Sequence, residues 1–282
     1  MRIARRNAAL VGGGGPGPEP PPAYWGLGFT AEEPGVIVNM TKTGSPSGVT
    51  LETSRDGVTW TAFDANGGTT PITLANVGDR VYFRAGSSGN TGMSDSASAY
   101  RNFSFNGSVS ASGNIMSLLT QNESDWQTVQ MVDYCYFYIF RNCTSLTSAP
   151  ELPATTLALY CYSGMFRDCT SLTTAPALPA TILAPYCYRM MFLDCTSLTT
   201  APALPATTLE DRCYNLMFRG CTSLNSVTVA FTGWNPSAAT TNWLQSVASN
   251  GTFTCPSALG TGSTITRGIS NCPSGWTVVN ID

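Results

Sequence analysis

The chain has 282 residues, 43% of them apolar, which gives length and apolar content for more than one domain with a real core. Charged residues make up only 11%, the net charge is −3, and histidine is absent. This balance argues against a nucleic-acid binder, which needs a basic stripe, and removes the commonest general acid/base and the commonest metal ligand.

Residues 1–22 read as an arm. Met1 to Asn7 would serve as the basic region of a secretory signal, but Ala8-Ala-Leu-Val11 supplies four apolar residues where about 7–15 are needed. No signal peptide is expected. No run of about 18 apolar residues exists, so no membrane span is expected either. The arm carries Arg2, Arg5 and Arg6, then a glycine run and Gly15-Pro-Gly-Pro-Glu-Pro-Pro-Pro22, which is stiff and extended. It is either a solvated tail or a tether that anchors the chain in an assembly through those three arginines.

From residue 23 to 113 the pattern has period two. Val36–Met40, Val49–Thr53, Val58–Ala62, Pro71–Leu74, Arg80–Arg84 and Asn102–Phe105 read as short strands. Asp56-Gly57 signals a hairpin, and Asn66-Gly-Gly68 and Gly78-Asp79 mark further turns. The sequence predicts an all-β sandwich here. Gly86–Ala99, rich in Gly and Ser, is expected to be a mobile loop or a contact loop.

Residues 114–226 are governed by a repeat. Cysteines recur at 135, 161, 187 and 213, and again at 143, 169, 195 and 221, both series stepping by 26. A fixed period of this size predicts a stack of units that bury their apolar faces on one another. Met116–Thr120 is a worn terminal copy. Within a unit, Leu183, Cys187, Met191 and Cys195 lie four apart, beside Tyr188 and Phe192, which predicts one face of a three-turn helix. Thr207-Thr-Leu-Glu210 matches a capping box. Leu198-Thr-Thr-Ala201 then reads as a short strand, and Pro202 and Pro205 hold an extended return.

The cysteines are eight apart within a unit, about 12 Å along a helix, which speaks against an intra-unit disulfide or a compact metal site. Bridges between stacked units and a column of buried free thiols both remain open. Residues 227–282 read as a C-terminal cap with closing strands at Gly251–Thr254 and Trp276–Val279. Its cysteines, Cys255 and Cys272, are a candidate disulfide, although free thiols suit a chain without an export signal.

Met165–Thr173, Met191–Thr199 and Met217–Asn225 share Met-Phe-x-x-Cys-Thr-Ser-Leu. This resembles the A-F-x-x-C-x-x-L-x-x-I core of BspA-like leucine-rich repeats. The period is longer than is usual in that class, and Leu-x-x-Ala-Pro stands where that class has Leu-x-x-Ile. The resemblance implies a curved solenoid, and with the readings above the expected fold is multidomain: an all-β sandwich, an α/β leucine-rich-repeat solenoid and a C-terminal cap. It also implies adhesion or recognition, and the whole arrangement is similar to proteins of gut bacteria and their phages.

The functional expectation is a non-enzymatic virion component: a fibre, decoration or receptor-binding part. The alternative is a bacterial cell-surface adhesin. Partners would be virion or cell-surface proteins or glycans, with self-association open, and no nucleic acid or cofactor is expected. Contact residues should be those that vary between units: Tyr138, Gly164, Arg189 and Asn215, with Arg141, Arg167, Leu193 and Arg219. Thr147, Thr173, Thr199 and Asn225 hold the equivalent place on the strand side. The few carboxylates fall in no catalytic pattern, and no P-loop, G-x-S-x-G or zinc motif occurs.

Overall fold

The structure, a computed structural model, describes residues 25–66 and 71–281. The arm with Arg2, Arg5 and Arg6 lies outside the described residues.

The first eight strands are β1 (Leu27–Ala31), β2 (Val36–Thr43), β3 (Leu51–Ser54), β4 (Thr61–Phe63), β5 (Ile72–Leu74), β6 (Arg80–Ala85), β7 (Tyr100–Phe105) and β8 (Val109–Gly113). They form the sandwich-like pair of sheets that the alternation predicts. One sheet runs β4-β3-β6-β1-β8, and the other β5-β2-β7. Period two is the cause: Val36, Val38 and Met40 of β2 are buried, while Ile37 and Asn39 are half-buried. Between the sheets Phe29 meets Phe103 edge-on at 4.8 Å, and within its own sheet it meets Phe83 at 5.7 Å. Asp56 does turn the β3–β4 connection. Its carboxylate accepts from the amides of Thr59 (2.7 Å) and Val58 (2.8 Å) and from the Ser54 hydroxyl (2.8 Å). These donors hold it far below the usual carboxylate range.

Gly86–Ala99 is a contact loop. The Met93 amide donates to the Cys135 carbonyl (2.7 Å), the Ser94 hydroxyl to the Phe137 carbonyl (3.1 Å), and the Asn90 side chain to the Leu118 carbonyl (2.8 Å). Met93 is fully buried. The loop is thus packed against the first repeat.

The α/β leucine-rich-repeat solenoid is overturned. No α-helix occurs among the described residues, and helical backbone is confined to three single 3-10 turns at Ile115–Leu118, Trp126–Thr128 and Ser257–Leu259. Strands are the main regular element among the described residues, none lies between Ser148 and Ser226, and the sheets do not close into a solenoid. Where helices were expected, the backbone follows a four-residue rhythm. In residues 134–143 the amides of Phe137, Ile139, Arg141 and Cys143 bond back three residues, to Tyr134, Tyr136, Tyr138 and Phe140. The amides between them reach the next unit: Tyr136 to the Cys161 carbonyl, Tyr138 to Ser163, Phe140 to Met165, and Asn142 to Arg167. Every fourth residue is left-handed, with φ of 59° at Tyr134, 61° at Tyr138 and 62° at Asn142. The pattern repeats at Tyr160, Gly164 and Asp168, at Tyr186, Met190 and Asp194, and at Arg212, Leu216 and Gly220.

The physical reason is the phase. About 3.6 residues per turn would carry a column of residues four apart steadily round a helix. A true four-residue turn keeps it fixed. Cys135, Ile139 and Cys143 therefore all point inward, as do Tyr136 and Phe140. Equivalent residues of successive units stack. Phe140, Phe166, Phe192 and Phe218 lie 5.4–5.6 Å apart with nearly parallel rings. A second buried column holds Tyr136, Tyr162, Tyr188 and Tyr214. We call this assembly the turn ladder.

The ladder joins both neighbours. β9 (Leu146–Ser148), from the first unit, pairs in parallel with β8 and completes a six-stranded sheet. Phe103 of β7 stacks on Phe140 at 5.6 Å, so the aromatic column begins inside the sandwich. At the other end the ladder runs on past residue 226. The Tyr214 amide bonds to the Ala239 carbonyl, Leu216 to Thr241, and Phe218 to Trp243, with Asn242 and Ser246 again left-handed. Three parallel strands close this end, β10 (Ser226–Thr228), β11 (Thr252–Pro256) and β12 (Thr277–Ile281).

All ten cysteines are buried free thiols, including the candidate pair Cys255 and Cys272. Cys272 instead accepts a hydrogen bond from the Arg267 guanidinium (3.1 Å), and Cys255 one from the Asn280 amide (3.7 Å). The second cysteine series donates: Cys143, Cys169, Cys195 and Cys221 give their S–H to the carbonyls of Phe103, Phe140, Phe166 and Phe192 at 3.0–3.1 Å.

Candidate functional site: the outward face of the turn ladder

The four-residue turn sends two neighbouring side chains inward and the next two outward. The pairs turned away from the central columns in the first unit are Asp133 and Tyr134, then Phe137 and Tyr138, then Arg141 and Asn142; the middle pair is itself buried. Each is the top of a column running across the units, and these columns make the face on which the candidate residues stand.

The columns differ in how free their side chains are. Tyr138 is buried. Its ring lies under the Arg141 guanidinium at 4.7 Å and edge-on to Tyr100 at 5.3 Å. Arg141 also donates to the Tyr100 hydroxyl at 3.4 Å. These two residues therefore bind the ladder to β7 and are occupied. Gly164 takes the position below Tyr138 because nothing larger fits: a Cβ there would stand 2.1 Å from the Tyr138 ring, and its φ is 59°.

Arg167 pairs with its neighbour Asp168 at 3.1 Å. Arg189 donates to the Asn215 side-chain amide oxygen at 3.2 Å, and the Asn215 side-chain nitrogen donates in turn to the Thr241 carbonyl at 3.1 Å. Asn215 is buried, so it works as a polar rung between units. Arg219 is exposed, and its guanidinium makes no hydrogen bond or ion pair with another described residue. On the strand side Thr173, Thr199 and Asn225 are exposed, while Thr147 is tied to Glu32 (2.8 Å). The structure thus brings the named residues to one face but leaves few of them free.

Sequence reasoning missed the most exposed aromatic feature of this face. Tyr134, Tyr160 and Tyr186 stack at 4.8 and 4.4 Å with nearly parallel rings. Arg212 takes the next position, with its guanidinium 5.4 Å from the Tyr186 ring and a hydrogen bond to the Tyr186 hydroxyl. Partial burial, then the neighbouring hydroxyls of Tyr186 and Tyr134, push the Tyr160 phenol above its ordinary range. The signal was present: tyrosine recurs at 134, 160 and 186, and arginine follows at 212.

Among the described residues no group of three or more Cys, Asp and Glu side chains could hold a metal ion. No described helix is long and apolar enough to cross a membrane. Compared with protein-family models, with curated proteins and with solved structures, the chain matches none.

Proposed function

We propose that the protein is a non-enzymatic recognition and structural component of a virion: a fibre, decoration or receptor-binding part that presents the outward face of the turn ladder. One observation carries the reading. The inward Phe, Tyr and Cys columns keep one residue type from unit to unit, whereas two of the columns between them, those of Phe137 and Arg141, are varied, and in these Arg141, Arg167, Arg189 and Arg219 reach solvent. The column of Phe137 continues as Ser163, Arg189 and Asn215; that of Arg141 continues as Arg167, Leu193 and Arg219. A core held constant under a varied surface is the pattern of a scaffold that displays contacts. The virion part of the reading rests on the resemblance of the Met-Phe-x-x-Cys-Thr-Ser-Leu motif to repeats of surface and phage proteins. It remains an argument by analogy.

Two experiments test it. Mass spectrometry of purified particles is expected to find the chain in fixed copy number; finding it only on surface-labelled, uninfected cells would shift the protein to the adhesin role. Substituting Tyr160, Arg189 and Arg219 together by Ala is expected to abolish attachment of the particle or the protein to its target cell. Unchanged attachment by the triple variant would remove this face from the account.

A further inference from the structure

We infer that the outer surface of the six-stranded sheet carries a cleft for a neutral oligosaccharide, on a different part of the molecule from the turn-ladder face. Strand register builds its floor. Gly28 of β1 lies between Tyr82 of β6 and Ser112 of β8, and Thr30 lies between Arg80 and Ser110, with Ser148 of β9 next in line. Leu27 and Phe29 fill the core, so Gly28 and Thr30 face outward. Glycine is required here because the Tyr82 ring lies over its backbone: a Cβ at Gly28 would stand 3.0 Å from that ring and 3.1 Å from the Ser112 hydroxyl, so the ring forms part of the floor.

The cleft over this floor has a volume of 730 Å³. That lies inside the ~300–1,000 Å³ range of small-molecule sites. Trp25, Tyr82 and Trp126 line it. The Trp25 indole N–H donates to the Thr120 carbonyl (3.2 Å), which fixes that ring, and Trp126 opens the 3-10 turn Trp126–Thr128. Arg80, Glu123 and Glu151 also line the cleft. None of the three forms a side-chain hydrogen bond or ion pair with another described residue.

The chemistry of this lining selects the ligand class. A pyranose offers an apolar C–H face and a rim of hydroxyls. Indole and phenol rings cover the first, while carboxylate acceptors, a guanidinium donor and serine hydroxyls satisfy the second. β6, β1 and β8 of the floor are hydrogen-bonded on both sides, and β9 at the sheet's end is bridged onward from Ser148 to Thr174, which disfavours a peptide adding as a strand there. Two carboxylates against one guanidinium disfavour an acidic sugar or a phosphate. Two indole walls beside a floor of the Tyr82 ring and serine hydroxyls, with charged groups of both signs that pair with no other described residue, fit a short neutral oligosaccharide.

The test uses the full chain on an array of neutral oligosaccharides, acidic oligosaccharides and peptides, followed by titration of the best neutral binder. Binding to a neutral oligosaccharide is expected. Trp126→Ala and Arg80→Gln should each weaken it by at least about tenfold, the size of one anchoring contact. Arg219→Ala, on the ladder face, should leave it unchanged, so failure here and failure of the ladder face are read separately. Glu123→Gln changes an exposed side chain only and keeps the test decisive if Trp126→Ala does not fold. No neutral glycan bound, binding to peptides or acidic glycans alone, or full affinity in the Arg80 and Glu123 variants would overturn the assignment.

Discussion

Tyr136, Tyr162, Tyr188 and Tyr214 form one buried column, yet their hydroxyls are served differently. The Tyr136 hydroxyl donates to the Ile115 carbonyl at 3.0 Å. Those of Tyr162 and Tyr214 are buried with no hydrogen-bond partner among the described residues. A buried unsatisfied hydroxyl costs about 1–3 kcal/mol, while a made hydrogen bond contributes about 0.5–1.5 kcal/mol net. Tyr162→Phe and Tyr214→Phe are therefore expected to raise stability by about 1 kcal/mol each, and Tyr136→Phe to lower it by a similar amount. Urea unfolding of the three variants checks this; a loss of stability in Tyr162→Phe would mean that its hydroxyl has a partner. At this scale the sequence was legible where residues recur unchanged. The cysteines were readable as core positions from their phase with Met and Phe. Tyr138 and Asn215 were not readable as buried, because what buries them comes from outside their own unit: Tyr100 in one case and Thr241 in the other.

The repeat unit shows how a correct periodicity led to the wrong element. Leu183, Cys187, Met191 and Cys195 are four apart, which fits an amphipathic helix approximately and a four-residue turn strictly. Two clues separated them. Adjacent pairs, Cys187 with Tyr188 and Met191 with Phe192, are apolar together without the drift a helix imposes. The last turn position reads Asn142, Asp168, Asp194 and Gly220, the residue types that tolerate the left-handed region. Six of the eight sandwich strands overlap alternating runs because period two survives in a sheet with one buried face, whereas β1 and β8 were missed. Gly164→Ala should cost more than about 1–2 kcal/mol, since it adds left-handed strain to a clash with the Tyr138 ring. Gly233→Ala, where a Cβ meets nothing within 4 Å, is expected to stay within about 0.5 kcal/mol. Equal effects at the two sites in urea titrations would remove the left-handed turn from the account. Phe192 sits between Phe166 and Phe218 at 5.6 and 5.5 Å and is fully buried. Phe192→Ala is expected to cost about 3–5 kcal/mol, measured the same way, and a neutral result would place its ring outside the column.

Across the whole molecule one apolar core runs from the sandwich into the last units, continued by Phe29, Phe103, Phe140 and the phenylalanines stacked beyond them. β9 adds a backbone connection on the same side. Sequence patterning marked the two halves but not their joint, because the contacts are non-local: Phe103 with Ile139, Met93 with Cys135, Ser94 with Phe137. The joint core has a consequence for pH. Burial raises the Cys161 and Cys213 thiols from an ordinary 9.0 to about 12. Burial also holds the Tyr136, Tyr162, Tyr188 and Tyr214 phenols well above their ordinary 10.0. Raised acidic pKa values mean that the unfolded chain releases these protons first, so stability is full below pH 9.0 and is lost as pH climbs toward about 12. Urea midpoints are expected to be flat from neutral pH to 9.0 and to fall steadily above it; a midpoint unchanged well above that value would mean that the thiols and phenols are not buried.

The central structural claim is that the repeats are joined by hydrogen bonds between units and not coiled into helices. Through-hydrogen-bond couplings in isotope-labelled protein test it most directly. A coupling is predicted from the Phe166 amide nitrogen to the Met191 carbonyl carbon, and from Phe192 to Met217, whose hydrogen bonds are both 2.9 Å long. Couplings from Phe166 to Tyr162 and from Phe192 to Tyr188, the spacing of an α-helix, would contradict it.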